Sequence, residues 1–136
     1  MQRSFRYILL FVSDLERSVS FYREQMDFTF VGFEAPHIAQ FKFGEVVIYI
    51  HHDGGDPKGE FHGLGDPRSE LSGVERRGKG VLIGFGIDDV DQYFREVAER
   101  GVVAHHQPVN QEWGDRDFSV RDPDGYEIWF SNIKSS

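Results

Sequence analysis

From Tyr7 to Val12 every residue is apolar or aromatic, on both alternating parities, and the run stops at Ser13-Asp14. A short continuous run of this kind predicts a strand buried on both faces. Ser13 and Glu16 have capping-box spacing, so a helix is expected to start near Asp14, with Leu15, Val19, Tyr22 and Met26 recurring at helical spacing. Strands are then predicted near residues 28–34, 38–43 and 46–51, the last two joined by a tight turn at Gly44-Glu45. The order is β-α-β-β-β.

The same construction returns 75 residues later, where Gly84-Phe-Gly-Ile-Asp-Asp-Val-Asp-Gln92 stands over Leu9-Leu-Phe-Val-Ser-Asp-Leu-Glu-Arg17. A strand at 81–87 leads to a helix capped by Asp88 or Asp89. That helix should carry Val90, Phe94, Val97 and Ala98 on one face and end at Gly101. Strands near 102–107, 118–121 and 126–130 complete a second β-α-β-β-β. Asp122-Pro-Asp-Gly125 places Pro and Gly where a type I turn needs them, closing the last hairpin. The 136 residues therefore read as one domain of two modules, 5–51 and 81–133, joined by a crossover at 52–80. The stretch from His51 to Gly80 holds eight Gly and two Pro and has little periodicity. Within it, Leu71 and Val74 could anchor a helical turn.

Together these features resemble the glyoxalase/bleomycin-resistance/extradiol-dioxygenase superfamily, the vicinal oxygen chelate fold. The resemblance rests on Val12-Ser-Asp-Leu-Glu-Arg-Ser18, on Trp113-Gly-Asp-Arg-Asp-Phe-Ser-Val-Arg-Asp-Pro123 and on the Asp-Pro-Asp-Gly turn, and it covers nearly the whole chain. It implies an α+β fold, with two βαβββ modules forming an eight-stranded, open barrel-like sheet and helices outside. It also implies that ligands or metals sit on cavity-facing strand positions.

Family members usually hold a divalent metal at up to four such positions, which correspond here to Tyr7, Tyr49, Leu82 and Trp129. Leu and Trp offer no lone pair to a cation, and neutral Tyr is a poor donor beside imidazole or carboxylate. No metal, cofactor or catalytic residue is therefore expected. The rings point instead to a bound amphipathic, aromatic or cationic organic molecule. Tyr7, Phe11, Tyr49, Trp113 and Trp129 would supply stacking surface, Asp117 and Glu127 charge, and His51 or Arg121 polar anchoring. A competing reading packs these rings on one another with no ligand. The loop around Gln111-Glu-Trp-Gly114 is similar to the metal-free bleomycin-resistance branch, which implies an antibiotic- or metabolite-binding homodimer.

The six His are the route back to metal, through a displaced lyase, isomerase or dioxygenase site using His51, His105 and Glu112 or Glu127. His51-His52 and His105-His106 should each point to opposite strand faces and so cannot chelate as pairs. The formal charge of −8 disfavours nucleic acid and anionic membranes. The absence of Cys removes disulfides and thiolate sites, and no apolar run approaches spanning length, so the cytoplasm is the default. Gly73-Val-Glu-Arg-Arg-Gly-Lys-Gly80 misses a phosphate-binding loop, because Gly80 stands where a hydroxyl is required and a strand follows instead of a helix.

Overall fold

The computed structural model describes residues 1–52 and 78–133, in two units that part between Arg77 and Gly78. Most of the expected crossover, including the helical turn at Leu71 and Val74 and part of the near-match to a phosphate loop, lies outside the described residues.

In the first unit β1 (Ile8–Val12) leads to α1 (Leu15–Ser20), then β2 (Thr29–Ala35), β3 (Ile38–Phe43) and β4 (Val46–His52). The sheet order is β1-β4-β3-β2, parallel between β1 and β4 and antiparallel elsewhere. Asp14 caps α1, its carboxylate accepting from Arg17 N at 3.1 Å, while Ser13 Oγ accepts from the Arg17 guanidinium at 3.0 Å. The capping residue is thus Asp14 and not Ser13. A π-helical turn, Phe21–Gln25, extends α1 and is closed by Met26 N donating to Phe21 O at 2.9 Å. The added residue per turn rotates the buried stripe. Ser18, Phe21, Tyr22 and Met26 are buried, whereas Leu15 and Val19 of the expected stripe are only partly covered. Val12, Ala39, Phe41, Ile48 and Ile50 form the core beneath them.

The second unit repeats the plan with β5 (Leu82–Ile87), α2 (Val90–Glu99), β6 (His106–Asn110), β7 (Arg116–Arg121) and β8 (Glu127–Asn132), ordered β5-β8-β7-β6. Asp89 caps α2 by accepting from Gln92 N at 3.0 Å, and Gly101 ends it at φ 89°. The buried stripe is Val90, Tyr93 and Val97. Tyr93 packs edge-on against Phe130 at 5.0 Å, so it takes the place expected of Ala98, which is exposed. Phe118 and Phe130 stack at 5.3 Å at the centre of this core.

The strand expected near 102–107 begins instead at His106. Its Pro108 sits within a register shift on an edge strand, one of the places in a sheet that tolerate a missing N–H. The Asp122 to Gly125 turn forms as expected. Gly125 N donates to Asp122 O at 2.9 Å, and the Asp122 carboxylate accepts from Asp124 N and Tyr126 N. The eight described strands thus make two four-stranded sheets, each with its module's helix and neither closed.

Candidate functional site

Pairing register fixes which side chains share a face, because successive strand residues alternate. In the first sheet Leu9 pairs with Tyr49 and Phe11 with His51, so these four lie opposite the face that carries Leu10, Val12, Ile48 and Ile50. Tyr7, just before β1, meets Tyr49 edge-on with ring centroids 5.2 Å apart. Phe11 and His51 are both buried, with rings 5.5 Å apart, and His51 Nδ1 donates to His52 O at 2.6 Å. Of the candidates on this module, the structure brings Tyr7 to Tyr49 and Phe11 to His51.

In the second sheet Asp117, Ser119 and Arg121 share a face with Glu127 and Trp129. Trp129 is held on two sides. Its indole N–H donates to Glu127 Oε2 at 2.9 Å, and the His106 ring meets it edge-on at 4.7 Å. Glu127 Oε1 also faces His105 Nε2 at 3.4 Å and Arg121 Nη2 at 3.6 Å. The Trp129 hydrogen bond holds the Glu127 carboxyl below the usual carboxylate range, against the opposing effect of burial and with help from the His105 and Arg121 charges.

Asp117 is buried, and its Oδ1 accepts from His106 Nε2 and from Gln111 Nε2, each at 2.9 Å. That acceptor takes the Nε2 proton, leaving His106 Nδ1 to accept the Ser119 hydroxyl at 2.7 Å. Ser, His and Asp are the residue types of a nucleophilic triad, yet Ser119 is fully buried and Asp117 is shared with Gln111. The cluster fixes the His106 ring against Trp129; no substrate reaches a covered hydroxyl.

One expectation is revised here. His105 and His106 do not point to opposite faces. His105 precedes β6, where strand alternation does not apply, and both rings reach side chains of the same face, Glu127 for one and Trp129 for the other. Trp113 lies on the turn between β6 and β7, 58% exposed. Its N–H donates to Asp115, and among the described residues none of the other candidates is its ring or hydrogen-bond partner.

Sequence reasoning missed Ser119, Gln111 and the packing role of His106. The parity of β7 already placed Ser119 between Asp117 and Arg121, but nothing local marked its partner across the hairpin.

Among the described residues no three His, Asp or Glu side chains gather as they would to hold a metal ion. The side chains at the four positions that the resemblance assigns to metal ligands, Tyr7, Tyr49, Leu82 and Trp129, do not suit one. Two are phenols packed on each other, one is aliphatic, and the last has its sole polar atom bound to Glu127.

The paired βαβββ units and the aromatic sheet faces define a class that comparison with known proteins then narrows. A family model described as the Glyoxalase/Bleomycin resistance protein/Dioxygenase superfamily matches residues 4–130, and the chain belongs to that superfamily. It is 30% identical over 119 residues to YraH of Bacillus subtilis, itself uncharacterized, covering 86% of this chain and 88% of YraH. Among solved structures it is similar to a protein of unknown function from Agrobacterium tumefaciens, with a TM-score of 0.70, 25% identity and coverage of 98% and 97% of the two chains. A superfamily member from Sphaerobacter thermophilus aligns with a TM-score of 0.71 at 19% identity, over 97% and 98%. Among the described residues no helix is long and apolar enough to cross a membrane.

Proposed function

We propose that this chain is a metal-free small-molecule binding protein that sequesters an aromatic antibiotic or metabolite without turning it over. The observation that carries the reading is the state of Trp129. A ring stands where a superfamily ligand is expected, fixed by Glu127 on its N–H and by His106 on its edge. A ring whose orientation is already set loses little conformational freedom when a flat molecule stacks on it, so little of the stacking energy is lost to ordering. Tyr7 and Tyr49 offer a second pair of rings on the first module. The protein acts as a homodimer in this reading, since Val31 and Phe33 leave apolar surface exposed on the edge strand β2. Sedimentation at micromolar concentration tests that state.

Elemental analysis of protein purified without chelator tests the main claim, and substoichiometric nickel, iron, zinc and manganese are expected. A stoichiometric transition metal that disappears in His51→Ala would replace this reading with the displaced-site enzyme.

A further inference from the structure

We infer that the ligand is a planar aromatic acid, laid on a shelf over Gly84 beside Trp129, with Arg121 reading its anionic end. This rests on the reading of the chain as a small-molecule binder and names the chemistry its second module selects.

The shelf is built by absent side chains. In β5 the residues on the Trp129 face are Leu82, Gly84 and Gly86, and Gly84 is the direct neighbour of Trp129 across the β5–β8 ladder. Glycine inside a strand costs about 0.5–1 kcal/mol relative to alanine and often marks a place where something approaches the backbone closely. Gly84 is exposed, and among the described residues a Cβ built there meets nothing within 4 Å. Its backbone is not in the left-handed region, so no turn requires the glycine. At Gly86 a Cβ would lie 3.2 Å from Ile133 Cγ1, which closes that end. Leu82, 48% exposed and paired with Glu127, bounds the other. On its far side Trp129 faces Ser119 in the ladder and carries the His106 ring, so among the described residues the β5 side is where its flank stays open.

The polar groups around this shelf decide the sign of the ligand. Both carboxylates expected to attract a cation are engaged, Asp117 by His106 and Gln111, and Glu127 by Trp129, His105 and Arg121. Donors remain. Arg121 carries five N–H groups and, among the described residues, makes one loose approach, to Glu127 at 3.6 Å, with its side chain 56% exposed. Cross-strand pairing sets Arg121 opposite Glu127 and Ser119 opposite Trp129, so Arg121 stands on the diagonal from the indole, within reach of a long side chain. The chain's overall charge of −8 acts at longer range and is screened beyond about 8 Å at physiological salt, whereas a guanidinium–carboxylate contact is not.

Calorimetric titration with 2-naphthoate, 2-naphthylmethylammonium and neutral 2-naphthalenemethanol separates the possibilities. The naphthoate is expected to bind about ten to a hundred times more tightly than the ammonium probe, the worth of one charge-assisted hydrogen bond. Arg121→Gln should erase that ratio while the neutral alcohol still binds. Gly84→Leu should weaken all three and Gly84→Ala less so, with thermal melts confirming that both variants fold. Equal or tighter binding of the ammonium, or a ratio unchanged in Arg121→Gln, overturns the inference and leaves the binding reading in place. Failure of all three probes to bind overturns both.

Discussion

Glu127 is the residue on which the polar chemistry of the second module converges, and its ionisation is set by a neighbour two positions away. Its carboxyl is held below the usual range chiefly because the Trp129 N–H donates to the charged form. A depressed folded value means the contribution to stability is complete above the unfolded glutamate pKa, about 4.3, and is lost as pH falls through the folded value. Between pH 6 and 8 it changes nothing. In Trp129→Phe the ring remains and the donor goes, so the Glu127 titration, followed by carbon NMR of its carboxyl, should move up toward the ordinary value. A midpoint that does not move would show that His105 and Arg121 hold the charge without the indole. The sequence placed Glu127 and Trp129 on one face through their spacing of two. It did not reveal that the carboxylate is occupied, because that depends on Arg121 and His105 arriving from other parts of the chain.

At the scale of elements, Asp14 and Asp89 are 75 residues apart and do the same work, each accepting a backbone N–H three residues on. That helices start at these points was legible from a few consecutive residues, although the capping-box spacing pointed to Ser13 and left Asp88 and Asp89 both open. The β6 strand was not legible. Its apolar Val102 and Val103 suggested an earlier start, but the chain leaving α2 at Gly101 buries Val102, exposes Val103 and meets β7 only from His105, whose N–H donates to Ser119 O at 2.7 Å. Pattern alone does not locate where a ladder begins. Asp89→Ala should lower the stability of the second unit by about 0.5–2 kcal/mol, the usual loss of an N-cap, read by urea unfolding followed through Trp129 and Trp113 fluorescence. Asp89→Asn, which keeps an accepting oxygen, should recover most of it.

For the whole molecule, the repeat and its turn motif made the architecture readable, and the two sheets share one order of strands, β1-β4-β3-β2 and β5-β8-β7-β6. The ligand was less readable, since composition reports a net charge and not which charges are already paired. With 23 acidic against 15 basic side chains, the chain should not retard duplex DNA in a gel at about 150 mM salt, where nonspecific binding rests on phosphate neutralisation. Retardation at that salt would reveal a basic patch that the totals conceal.

The helical turn at Phe21–Gln25 has a consequence for how this protein tolerates length changes. A hydrogen bond spanning five residues instead of four means that the turn holds one amino acid more than a regular helix needs. Excising exposed Glu24 should let an ordinary helix form and still deliver Met26 and Phe28 to the interior, with a melting temperature near that of the parent. Excision within α2, which has no such surplus, should swing Val97 away from Val90 and Tyr93 and unfold the module.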